Sequence, residues 1–394
     1  MSATTAVGAP PLDRGGAGSG LRAWPLVALG AVTLVYRYAM QVGQPTSWHF
    51  FRDAATGLLH GPGLDLYAAH PEFQFGPLAA VVAIPFQPIP HLLSRPVIVT
   101  LGSALGVVTL VLLERLVVEL SPGVDPARIR RGVLWATLPV LFAWSDIAIR
   151  NEHIDDALAL AGIVAAALYV VRRRPWLATA LMAVAVAAKP WAVVCVPMLA
   201  AHPGRGRVTR PLVACAAAGA TWLPFIVDAP RTLSRLAHFS IENSSSSGLR
   251  ALGVATARTP HWDRPAQLLL GLAAALVLVR MERWWAVPMS ALGIRLLLDP
   301  GTHRYYTAGL ALAVLVWELV VAPGRIPWRT IATVVVLETT ATEVPFGHSA
   351  GRIRLAVLLA VVTLPMWERW RGRGRPTAGG TPSAPPPESA WVTK

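Results

Sequence analysis

The stretch Asn151-Glu152-His153-Ile154-Asp155-Asp156 places an amide, three carboxylates and an imidazole at the start of an apolar run. Carboxylates at the first turn of a helix are stabilised by its dipole, so part of this density is ordinary capping. His153, Asp155 and Asp156 together exceed what a cap needs. Asp156 stands at the edge of the apolar run, where desolvation would strengthen it as a general base. A second candidate pair, His49 and Asp53, is spaced four residues apart, so a short helix would show both on one face.

Cations stand where an anion could meet them. Lys189 interrupts the apolar Ala-Val-Ala-Val-Ala-Ala-Lys-Pro-Trp. A lysine at membrane depth costs about 2.5–3.5 kcal/mol and usually faces a partner or cavity. As a point charge it could hold a phosphate; the plainer alternative is a side chain snorkelling to the interface. Further on, Arg295 and Asp299 are positioned to pair, and His303, Arg304, Tyr305 and Tyr306 follow an Asp-Pro-Gly turn. That run is denser than interfacial anchoring requires. Asn243 lies in the polar, Ser-rich stretch from Phe239 to Gly253, either a flexible linker or a headgroup and sugar contact.

The elements that must position these groups are membrane helices. Of 394 residues, 54% are hydrophobic and only 14% charged, and mean hydropathy is +0.51. Apolar runs recur from Trp24 to Trp367 at lengths that suit a bilayer core, and lipid forces such runs to be helical. The expected fold is an all-α, polytopic transmembrane bundle of about 12 crossings. They are drawn at 24–44, 97–118, 131–149, 155–171, 175–187, 190–202, 209–227, 265–281, 284–298, 305–322, 328–343 and 352–367. With the N-terminus inside, this threading gathers Arg128, Arg130, Arg131, Arg172 to Arg174, Arg205, Arg207, Arg210, Arg280, Arg283, Arg325, Arg329, Arg369, Arg371, Arg373 and Arg375 on the cytoplasmic side. The net charge of +14 is thereby explained without nucleic acid.

The same threading puts every chemically able residue on the outer side. It requires Phe75 to Leu93, broken by Pro77, Pro85, Pro88 and Pro90, to be re-entrant or interfacial rather than a crossing. It also leaves Arg231, Arg235, Arg250, Arg258 and Arg264 in an outer loop against the rule, which would suit an anionic headgroup or defeat the threading there. A single domain, 24–370, with long outer loops 45–96 and 228–264, is expected between disordered cytoplasmic tails 1–23 and 371–394. The first helix reads as retained rather than cleaved. Cys195 and Cys215 lie in apolar segments and suit neither a disulfide nor a zinc site. No phosphate-cradling Gly-rich loop, HExxH or nucleophile elbow is present, so neither a soluble nucleotide sugar nor ATP is an expected substrate.

A long first outer loop, the segment Phe73-Gln-Phe-Gly-Pro-Leu78, a polar patch before a helix and Ala188-Lys-Pro-Trp191 occur in this order. Together they resemble the integral-membrane glycosyltransferases of the GT-C superfamily, and most nearly glycosyltransferase family 87, the polyprenyl-phosphate-mannose-dependent mannosyltransferases. The likeness covers Ser47 to Pro90, Ser145 to Leu199 and Arg295 to Leu310. It implies inverting transfer from a lipid-phosphate sugar to a lipid or glycan acceptor at the outer face of the cytoplasmic membrane, with no cofactor and no metal ligands assigned. It also implies a first-loop Asp as base, where this chain has Ser47. The base is then Asp53 or His49, or Asp155 or Asp156. Lys189, His303 and Arg304 would meet the donor phosphate, and His153, Asn151, Asn243, Tyr305, Arg295 and Asp299 the remaining substrate. A transporter or lipid flippase with broken helices, and a catalytically inactive accessory subunit, are the rival readings.

Overall fold

The computed structural model describes residues 24–41, 46–202, 206–341, 346–347 and 349–372. It is an all-α bundle: no strand occurs among these residues, only an isolated bridge between Glu242 and Arg258. The expected tails lie outside the described residues, except that the last helix, Ser349–Gly372, takes in residues 371 and 372.

Five helices among the described residues are long and apolar enough to cross a bilayer: Leu93–Leu120, Pro126–Arg150, Ile154–Val171, Gly206–Asp228 and Ser349–Trp367. Shorter apolar helices complete the bundle. Position follows composition. The Ile154 helix has no polar face beyond its first turn, and 78% of its apolar window is buried; the Gly206 helix, with 17%, stands at the perimeter. Small residues set the closest approach: a Cβ on Gly162 would meet the Leu181 carbonyl of the neighbouring Pro175–Ala188 helix at 3.1 Å.

Starts and stops are written locally. Asp125 accepts a hydrogen bond from the Ala127 N–H at 2.9 Å, and Pro126 occupies the first helical position. The one carboxylate inside Tyr306–Val321, Glu318, accepts from the Arg329 and Thr330 N–H groups at 3.0 and 2.9 Å and from the Thr330 hydroxyl. It thus caps the next helix, Trp328–Thr339, from inside the bundle. Pro190–Ala201 winds as a 3-10 helix. At ~2.0 Å per residue its reach is about 24 Å against about 18 Å for an α-helix, so so short a run goes deep.

Pro77–Ala83 is a helix of 7 residues followed by a turn at Ile84–Phe86, far short of the roughly 30 Å needed to cross. The proline-broken segment therefore does not cross as a helix. The next helix begins at His91, ahead of the expected 97, because Pro90 opens it and Pro96 is carried inside. Three of the five outer-loop arginines pin the loop. Arg231 bonds Asp65 at 2.6 Å, Arg250 donates to the Ala255 carbonyl at 2.7 Å, and Arg264 to the Leu236 carbonyl at 2.9 Å. Their presence there is accounted for by these contacts.

Candidate active site

The Pro126 helix ends in a wide π turn, Asp146–Arg150. Glu152 then adopts a left-handed φ of 55°, and the His153 N–H returns to the Ile147 carbonyl at 2.8 Å. This reversal starts the next helix at Ile154 and puts Asp155 and Asp156 in its first turn. Across from them, Pro190 disfavours helical backbone at Lys189, which is extended at φ −142°, ψ 108°. The side chain leaves the helix end and enters the gap between the two aspartates.

There Lys189 Nζ bonds Asp155 Oδ2 and lies 3.0 Å from Asp156 Oδ2. His153 Nδ1 is 3.4 Å from Asp155 Oδ1 and 3.4 Å from Asp156 Oδ2, and Trp191 Nε1 donates to Asp156 Oδ1 at 3.0 Å. Lys189, Asp155 and Asp156 are all buried. Burial opposes a charged His153, but the two carboxylates close to its Nδ1 outweigh it and raise its pKa above the ordinary histidine range. Asp156 is thus held in an ion pair, not left alone in apolar surroundings as the sequence suggests. The ring of Tyr305 stacks on His153 at 4.3 Å, and the exposed His303 stacks on Tyr305 at 5.3 Å, so the cluster opens outward along this column. The guanidinium of Arg295 lies 4.3 Å from the Tyr306 ring and 5.1 Å from Trp191. It is 3.9 Å from Asp299, whose Oδ1 receives the Gly301 N–H at 2.8 Å.

His153, Asp155 and Asp156 offer ligand atoms within 4.8 Å of one another, a spacing a metal ion can use. The Lys189 ammonium already stands between the two carboxylates and offsets one of their two charges. The arrangement can accept a proton at a carboxylate and present Lys189 and Arg295 to an anion.

The first outer loop is clamped against this cluster. The Gly76 N–H donates to the Ala188 carbonyl at 2.8 Å, immediately before Lys189. A Cβ at Gly76 would lie 2.0 Å from the Ala187 carbonyl oxygen, so only glycine allows the approach. Phe75 stacks on Phe51 at 4.5 Å, and Phe51 meets the His153 ring edge-on at 6.2 Å. The Ser47 N–H reaches the Asn151 carbonyl at 3.0 Å, and Thr46 donates to Glu152 at 2.8 Å, with Arg95 on the other oxygen at 2.7 Å.

Thus His153, Asp155, Asp156, Lys189, Arg295, Asp299, His303 and Tyr305 come together, although they lie far apart in the chain. His49 and Asp53 do share a face of the Trp48–His60 helix, but it is the exposed one, and His49 bonds the Thr46 carbonyl at 2.7 Å. Asn151 donates its amide to the Asp146 carbonyl at 2.7 Å. Asn243 donates to the Val254 and Thr256 carbonyls and accepts from Ser247, holding its own loop together. Arg304 turns to a neighbouring cluster, 4.0 Å from Glu338, near Asp146 with Arg37 at 2.9 Å and Arg150 at 3.7 Å. Asp146, Glu338 and the deeply buried Arg354 carry the same sequence signal as Lys189, an ionisable residue in an apolar run. Trp191 carries none, because an interfacial tryptophan is ordinary.

No curated protein and no solved structure matches the chain. The sequence profile of glycosyltransferase family 87 matches residues 73–298, more than half of it, from the clamped outer-loop segment through the aspartate pair and Lys189 to Arg295. With its apolar helices and this match, the protein belongs to glycosyltransferase family 87 and is a multi-pass membrane glycosyltransferase.

Proposed function

We propose that the protein moves a sugar, mannose by family resemblance, from a polyprenyl-phosphate donor to a hydroxyl of a lipid or glycan acceptor at the outer face of the cytoplasmic membrane. One observation carries this reading. The buried Lys189–Asp155–Asp156–His153 cluster stands at the ends of apolar helices, and further along the helix that carries both aspartates Leu160, Ile163 and Ala167 line a small apolar cavity with Leu292, Leu312 and Trp285. Charge at the helix ends and hydrocarbon below match a substrate with a phosphate head and a prenyl tail.

In the proposed step the acceptor oxygen forms a bond to the anomeric carbon on the face opposite the phosphate. The bond from that carbon to the phosphate oxygen breaks, and its electron pair leaves with the polyprenyl phosphate. Asp156 takes the hydroxyl proton. Lys189 and Arg295 stabilise the growing phosphate charge, preorganised by their present partners. Because Lys189 bridges both aspartates, a phosphate drawing on the ammonium would free Asp156 while Asp155 keeps its partner. Tyr305 and His303 line the approach for the sugar or acceptor. Asp53 and His49 are exposed and outside the cluster, which favours Asp156 over them as base.

The polar residues favour transfer over transport, since they gather at helix ends rather than at mid-bundle. The test is transfer by the purified protein in nanodiscs, with labelled polyprenyl-phosphate mannose and a membrane-lipid extract as acceptor. A labelled product that disappears with Asp156→Asn is expected; no product from any polyprenyl-phosphate sugar would defeat the proposal.

A further inference from the structure

At the arginine-rich end of the bundle, opposite the candidate active site, Arg210 is only 8% exposed, yet Nη1 is buried without a hydrogen-bond partner. Its side chain folds back over Gly206, where a Cβ would come within 2.4 Å of Nε. Among the described residues no carboxylate pairs with it. The same end does supply acids, but Glu114 is engaged by Arg130 at 2.5 Å and Glu119 by Arg172 at 2.7 Å. Next to Arg210 stands His202, at the end of the 3-10 helix, with Nε2 also buried and unpartnered. Burial and then the Arg210 charge hold the His202 imidazole below its usual range, with Arg173 adding to the positive field.

A buried guanidinium with no counter-charge is expensive, and the neighbours here are cations and a carbonyl end, not acids. An anion from outside the chain would supply the partner that the described residues lack. A guanidinium fork beside an imidazole suits a phosphate, which offers several acceptor oxygens at once. The location chooses the source. The Gly206 helix is the most lipid-exposed of the long helices, and Val208 and Leu212 on it are 65% and 62% exposed. Acyl chains can lie along those residues while a headgroup reaches the cations above them. Basic pockets between helices on the positive side of a membrane take phosphate headgroups in this way.

We propose that Arg210 and His202, with Arg173 beside them, form a phosphate-binding site at the arginine-rich end of the bundle, filled by the headgroup of an anionic phospholipid. The site is independent of the sugar-transfer reading and is tested without it. Full-length protein in neutral detergent is melted by intrinsic fluorescence, for which its 15 tryptophans suffice, during titration with dihexanoyl phosphatidylglycerol, dihexanoyl phosphatidylcholine or inorganic phosphate. Phosphatidylglycerol should raise Tm saturably and phosphatidylcholine should not. Arg210→Gln should weaken the half-saturating concentration at least tenfold, while Arg128→Gln, an exposed arginine at the same end, should leave it unchanged. Should Arg210→Gln fail to fold, His202→Gln and Arg210→Lys carry the comparison, each weakening the response. A response to inorganic phosphate with none to phosphatidylglycerol would overturn the lipid assignment. No response to either, equal responses to both lipids, or an unchanged Arg210→Gln titration would overturn the site itself.

Discussion

Two adjacent aspartates differ in what their loss should do. Asp155 is fully buried and bonded to Lys189, so Asp155→Asn weakens a buried ion pair and should lower Tm along with activity. Asp156, also buried, shares Lys189 but in addition accepts a hydrogen bond from Trp191. Asp156→Asn leaves the Lys189–Asp155 pair intact, and the proposed loss of the base is about 10²–10⁴-fold in kcat. The expected signature is a large fall in kcat with Tm close to wild type; activity within tenfold of wild type would exclude Asp156 as the base. Lys189→Ala strands two buried carboxylates, a cost of about 3–5 kcal/mol, so its effect on stability and donor affinity cannot be separated. Lys189→Arg keeps the charge and should raise KM for the donor more than for the acceptor; an equal rise in both would point to a purely structural lysine. The residue types of this site were legible, because ionisable groups in apolar runs announce themselves. Their pairing was not: Asp155 and Lys189 meet only because a π turn and a proline-ended helix aim them at each other. The same blindness to direction made His49 and Asp53 look equivalent to the aspartate pair, although their helix turns them to the exposed side.

Two segments of the family likeness, Phe73 to Leu78 and Ala188 to Trp191, are one structural device. Gly76 is the contact between them, and its backbone donates to Ala188 with no room for a side chain. Gly76→Ala should push the outer loop off the Lys189 hinge, reducing transfer and quickening hydrogen exchange in the segment from Phe73 to Ile84. Gly219→Ala, in a helix with nothing within 4 Å of the new methyl, is the matched control and should be neutral or stabilising. Normal exchange and activity in Gly76→Ala would show that the clamp is dispensable. At the other end, Glu318→Ala removes three hydrogen bonds that cap the Trp328 helix. The expected loss is about 1–2 kcal/mol of stability, measured as a lower Tm with KM for the donor unchanged. Helix positions and proline starts could be read from the chain because capping and bilayer length are local rules. The 3-10 winding of Pro190–Ala201 and the use of Arg231, Arg250 and Arg264 as pins could not, since both depend on neighbours distant in sequence.

Across the whole molecule, carboxylates gather on the active-site side, where Arg37, Arg95 and Arg231 pair with Asp146, Glu152 and Asp65, and arginine is left in excess at the other end. Arginine pairs with Glu114 and Glu119 at one end, while the lysine–aspartate cluster, the His-Tyr column and the Asp299 turn collect at the other. The positive-inside rule would make the arginine-rich end cytoplasmic and so direct the proposed active site outward. That orientation is what gives a lipid-linked donor its sense, because a polyprenyl-phosphate sugar needs no soluble nucleotide on the outer side. It can be tested apart from any activity. The chain has only two cysteines, so Cys195→Ser and Cys215→Ser provide a thiol-free background. Ala127→Cys then marks the arginine-rich end and Ser245→Cys the opposite one, both at exposed positions. In intact cells stripped of any outer membrane barrier, a membrane-impermeant maleimide should label Ser245→Cys and spare Ala127→Cys until the membrane is opened. The reverse pattern would turn the active site toward the cytoplasm and remove the outer-face donor. Labelling of both in intact cells would mean that the two ends share a side, contrary to a bundle whose helices run between them.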